Sequence, residues 1–139
     1  MCVAPYGLAY TQNDAAGLTT DAGRVSSGFS AAGLVVVDRD TVARKIEEKR
    51  EKRISFALVD LRLETEFKEG HLPGAVNVPF KKLRFLAERM FGKSDEIIFY
   101  GYSRNDAAGV DAVILLENKG FGHVSLMTGG MQEWKGPKE

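Results

Sequence analysis

Cysteine is almost missing from this chain: of its 139 residues, Cys2 alone carries a thiol. A lone cysteine excludes an intramolecular disulfide, so the fold does not depend on an oxidising compartment. It also excludes a cysteine zinc cluster, and His71 and His123 lie too far apart to supply a metal-ligand spacing. No metal or cofactor is expected. Excess charge is missing as well. Lys+Arg and Asp+Glu each number 19, without the basic surplus that nucleic-acid binding normally needs. No apolar run approaches the ~20 residues of a membrane helix, and Met1 to Gly33 has neither a basic n-region nor a continuous h-region. The expectation is a cytoplasmic protein with no nucleic-acid or membrane partner. The alternative is lipid attachment through Cys2, directly behind Met1.

What is present fits one soluble domain, with 44% hydrophobic and 27% charged residues. Residues 1–33 are mostly Gly, Ala, Ser and Thr, with no period of 2 or 3.6. This reads as a flexible extension in which Tyr6, Tyr10, Leu18 and Phe29 are the candidates for docking on the rest. From Leu34 to Glu139 short β-branched runs alternate with helical periods, the pattern of βα units around a largely parallel sheet. Strands are expected at 34–37, 56–60, 75–78, 97–100 and 123–127. Asp40 or Thr41 is expected to cap the first helix. The mixed charges of Arg44 to Arg53, including Arg44/Glu48 and Glu48/Lys52 at i,i+4, predict a solvated helix face. A short acidic helix follows at 64–68. Pro79 opens a helix with Leu83, Leu86, Ala87 and Met90 on one face, and Gly92 ends it. The segment after Asp106 carries Ala107, Ala108, Val110, Ala112, Val113, Ile114, Leu115 and Leu116. It is apolar all round, which predicts a helix packed in the centre. A closing helix is expected at Met131 to Trp134.

Three segments together resemble the rhodanese homology domain. The first is Val59-Asp60-Leu61-Arg62 with Glu66-Phe67-Lys68-Glu69-Gly70-His71-Leu72-Pro73-Gly74-Ala75-Val76-Asn77-Val78-Pro79. The second is the strand Ile97 to Tyr100. The third joins Gly120-Phe121 to Val124-Ser125-Leu126-Met127-Thr128-Gly129-Gly130-Met131-Gln132-Glu133-Trp134. The resemblance covers about residues 34 to 136. It implies an α/β, three-layer domain, a central, mostly parallel five-stranded sheet flanked by helices, with a site in the loop after strand 97–100. Active members of that family begin the loop with a cysteine that carries sulfane sulfur as a persulfide. The loop N–H groups and helix end lower the thiol pKa and hold the anion.

Here Gly101 aligns with that nucleophile. Asp106 stands where the family has an arginine, and Arg104 sits two positions early. A shifted register would bring Ser103 to the site, but a hydroxyl lacks the acidity for this role and cannot carry sulfur as a persulfide. The candidate site is therefore the loop Gly101, Tyr102, Ser103, Arg104, Asn105 and Asp106, with no catalytic residue in it. Its N–H groups and the positive helix end could hold a small anion, with Arg104 as the working cation. In the competing arrangement Asp106 or Asn105 caps the helix internally and Arg104 stands in solvent. Asp60, Arg62 and His71 support the turn, Trp134 is a core lid, and Tyr102 offers a contact at the loop mouth. These residues lead to an inactive rhodanese-like domain acting as a binding or regulatory module for a protein partner. The alternatives are a sulfurtransferase that borrows a cysteine, from Cys2 or a partner, and a small-anion sensor.

Overall fold

The structure, a computed structural model, describes residues 27–29 and 34–139. Cys2, Tyr6, Tyr10 and Leu18, and with them the docking and lipidation expectations, lie outside these residues. The runs of Val, Ile, Leu and Phe become strands β2 (Val35–Val37), β3 (Ala57–Asp60), β5 (Ile97–Tyr100) and β6 (Val124–Met127), with the short β4 (Val76–Asn77) between them. The five strands expected from the sequence pair in parallel in the order β2-β6-β5-β3-β4. A sixth strand, β1 (Ser27–Phe29), adds antiparallel to β2 in the register Ser27↔Val37. Those three residues belong to the sheet rather than to the extension that ends at 33. Their Ser-Gly-Phe sequence lacks the alternation that marks a strand, because an edge strand can take its order from its neighbour's backbone.

Alternation within β5 divides the core. Ile97 and Phe99 enter one apolar cluster with Leu83 and Ala87 of α3 (Phe80–Met90) and Ala112, Val113 and Leu116 of α4 (Ala107–Asn118). Ile98 and Tyr100 enter another with Val42 and Ile46 of α1 (Arg39–Arg50), Met131 and Trp134. This is the period-2 rule applied to a sheet covered on both faces.

Expectations change for three helices. α1 is capped by Asp38, whose Oδ1 accepts from Thr41 N at 2.7 Å, rather than by Asp40 or Thr41. α1 also ends at Arg50, so Glu48 and Lys52 are not one helical turn apart, and Lys45 pairs with Glu96 while Arg50 pairs with Glu47. α4 is not central: Gly109, Ala112, Val113 and Leu116 are buried while Ile114 is 46% exposed. Its inner face fits closely, since a Cβ on Gly109 would lie 2.4 Å from Leu126 Cδ1. In α3 likewise Met90 is exposed at the helix end, while Leu83 and Ala87 are buried. Among the described residues no helix is long and apolar enough to cross a membrane.

Candidate functional site

Because five strands run in parallel, their carboxyl ends share one edge, the place where open α/β sheets usually bind ligands. Three segments meet there: 60–62 after β3, 101–106 after β5, and 128–133 after β6.

Asp60 ends β3 fully buried, and its carboxylate is filled by its neighbours. Oδ1 accepts from Arg62 N at 2.9 Å and Nε at 3.0 Å, and Oδ2 accepts from the Arg62 NH2 group at 2.7 Å. The same NH2 group donates to Gly70 O at 2.7 Å, tying the loop before β4 to the sheet. Burial alone would lower the Arg62 pKa, but the hydrogen bonds and charge of Asp60 hold the guanidinium above its ordinary value. Tyr100, buried at the end of β5, accepts from Leu72 N at 3.1 Å. Burial first, and the charge of Asp60 second, push its phenol well above the ordinary range, so it stays protonated. Asp60 and Arg62 thus bond each other and the backbone at Gly70. His71 is held separately. Its Nδ1 lies 2.9 Å from Phe67 O, its ring stacks on Phe67 at 3.7 Å, and its backbone exchanges hydrogen bonds with Glu139.

The loop 101–106 closes on itself. Asp106 N donates to Ser103 O at 3.1 Å, and the Asp106 side chain turns back to accept from Ala108 N at 3.0 Å and Tyr102 N at 3.2 Å. It is therefore the N-cap of α4, with its negative charge at the helix's positive end. A Cβ on Gly101 would lie 2.7 Å from Asp106 Oδ2, so the carboxylate occupies the space a side chain at 101 would need. The helix end and loop amide that favour an anion already hold one belonging to the chain.

Arg104 does not stand alone in solvent. Its Nε and NH2 groups donate to Glu133 at 3.1 and 2.7 Å, and Arg39 donates to Glu133 O at 2.9 Å. The hydrogen bonds from Arg104 hold the Glu133 carboxyl below its usual value, although the pair is exposed and so adds little to stability. The segment carrying Glu133 is fixed on the loop by its backbone, with Met131 N donating to Gly101 O at 2.9 Å and Gln132 N to Tyr102 O at 2.8 Å. Gly129 and Gly130 enter this contact at φ 85 and 60. Glu133 is a site residue that sequence reasoning missed. Its sole signal was the Gly-Gly turn just before it, which pins the following helical turn to the loop. Ser103 is half-buried and Asn105 exposed, Tyr102 is 52% exposed at the mouth, and Trp134 is buried with Nε1 donating to Pro137 O.

Among the described residues no group of three or more His, Cys, Asp or Glu could hold a metal. No residue from 3 to 139 is cysteine. The loop thus offers backbone, an internal carboxylate, a paired guanidinium and an exposed phenol, but no thiol.

Comparison with known proteins agrees with this architecture. The chain is 35% identical to the rhodanese-like domain of the Alr3790 protein from Anabaena sp., with a TM-score of 0.57 over 61% of this chain and 99% of that one. A longer structure of the Alr3790 protein gives 31% identity and a TM-score of 0.63, covering 73% and 80%. The BH2092 protein of Bacillus halodurans, at 23% identity, shares the fold with a TM-score of 0.64 over 74% of each chain. The HTH-type transcriptional regulator Rv0324 of Mycobacterium tuberculosis is 29% identical over 106 residues, 76% of this chain. The chain spans about half, 46%, of that relative's length. The sequence profile of the rhodanese-like domain matches residues 38–137, from the cap of α1 to the turn after Trp134, and the chain belongs to that family.

Proposed function

We propose that this rhodanese-like domain performs no sulfur transfer at its 101–106 loop and serves as a binding or regulatory module for a protein partner. The observation that carries the reading is Asp106. Its carboxylate takes the N–H groups of Tyr102 and Ala108 and fills the space over Gly101. A sulfurtransferase loop needs a thiolate held by such groups. This one has spent them on its own side chain, which also argues against a free anion as the ligand. The likeness to part of an HTH-type transcriptional regulator supports a regulatory setting. Tyr102, exposed beside the Arg104–Glu133 pair, is the contact this face offers a partner.

The test is thiocyanate formation from thiosulfate and cyanide, which is expected to stay at background. Turnover that persists in a Cys2→Ser variant overturns the reading. The role of Asp106 is tested by restoring the thiol. A Gly101→Cys variant should remain unmodified by thiosulfate, because the new side chain meets the carboxylate and a neighbouring negative charge opposes thiolate formation. Adding Asp106→Gly, which has no side-chain acceptor, releases the two N–H groups. The introduced thiolate should then attack the sulfane sulfur, sulfite should leave with the bonding pair, and the protein mass should rise by one sulfur atom. If the single variant reacts as readily as the double, the carboxylate does not block the site and this explanation fails.

A further inference from the structure

Helices α2 (Glu64–Glu69) and α3 follow β3 and β4 on one sheet edge, and they carry opposite charge. α2 has Glu64, Glu66 and Glu69 against Lys68, whereas α3 has Lys81, Lys82, Arg84 and Arg89 against Glu88. Glu88 is already committed, since Lys93 and Lys119 donate to it at 3.1 and 3.3 Å. Lys81, Arg84 and Arg89 are left without a carboxylate among the described residues. Each half also shows a large apolar side chain to solvent: Leu63, just before α2, is 61% exposed, Phe85 on α3 is 71% exposed, and Val76 on the edge strand β4 is 41% exposed. Phe85 stands opposite the face formed by Leu83 and Ala87, so burying it in the chain's own core is excluded by helical geometry. The halves are adjacent, joined by Lys82 and Glu64 at 3.6 Å.

An acidic half next to a basic half, each with an apolar anchor, is complementary to itself after a two-fold rotation. We infer that this edge is an interface between two copies of the chain, with α2 of each facing α3 of the other. Aromatic and Arg side chains are the types most enriched in such contacts. The inference is independent of whether the loop reacts with sulfur.

Light scattering on the purified chain should show a mass rising with concentration from 15.2 kDa towards twice that value, less readily at high salt. Phe85→Ser should remain monomeric. The decisive experiment reverses charge. Lys81→Glu/Arg84→Glu and Glu64→Lys/Glu69→Lys each set like charges together at both contacts, so each variant should be monomeric. Mixed, they restore opposite charges at both contacts and should form a heterodimer. All the substituted positions are exposed, and circular dichroism confirms folding. A wild-type chain that stays monomeric up to its solubility limit overturns the inference. So do reversed variants that still self-associate, or a mixture that stays monomeric.

Discussion

Asp60→Ala is expected to lower the unfolding free energy by about 3 kcal/mol, the low end for breaking a buried ion pair. The residue is fully buried and the Arg62 side chain is 7% exposed. Removing the carboxylate therefore leaves a guanidinium with little water and no carboxylate partner. Arg62 keeps Gly70 O as one partner, which is why the low end applies. For a domain whose total stability is typically about 5–15 kcal/mol, that is a large share. Urea unfolding should show a lower midpoint with an unchanged slope. Tyr100→Phe is the milder comparison. It strands Leu72 N but leaves the ion pair intact, so its cost should be about 1–2 kcal/mol. If Asp60→Ala is no worse than Tyr100→Phe, the pair is not the main tie between the 60–62 segment and the sheet.

The same residues show how much could be read before the fold. β5 was legible to the residue because Ile97 to Tyr100 is a short apolar run between a Ser-Asp turn and a glycine. Asp60 and Arg62, weighed in the sequence as supports of the turn, lie two residues apart, so their mutual hydrogen bonds are local ones. What could not be read depends on distances that no spacing encodes. Asp38 and Asp40 both precede the first apolar helical residue, and only the direction of the incoming chain decides which one reaches Thr41 N. The apolar composition of α4 conceals which face meets the sheet; Gly109 marks it, because close approach to Leu126 needs a position without a side chain. At the loop, the sequence allowed either an open anion cradle or an internal cap. A missing Cβ at Gly101 and the carboxylate of Asp106 become one feature only when the turn folds that carboxylate back over the glycine. The partner of Arg104 was hidden for the same reason, since Glu133 is 29 residues away.

The tightest point of the site lies across from that loop, and Gly130→Ala is expected to cost about 3–5 kcal/mol, from backbone strain and two endangered hydrogen bonds. Gly130 sits at φ 60 and ψ −160, a region glycine alone enters freely. An added Cβ would lie 2.6 Å from Gly101 O and 2.7 Å from the Tyr102 carbonyl carbon and oxygen. These are backbone atoms and cannot rotate away. The same two carbonyls accept from Met131 N and Gln132 N, so relieving the clash pulls apart the contact that holds 128–133 on the loop. Gly74→Ala separates the two causes. Gly74 has φ 79, and a Cβ added there would meet nothing within 4 Å, so its cost should be the strain alone, about 1–2 kcal/mol. The excess of Gly130→Ala over Gly74→Ala then measures the close approach. Amide exchange gives the local readout: Met131 and Gln132 should lose protection in Gly130→Ala and keep it in Gly74→Ala. Equal costs for the two variants, with both amides still protected, would mean that the closing turn does not depend on bare backbone contact with the loop.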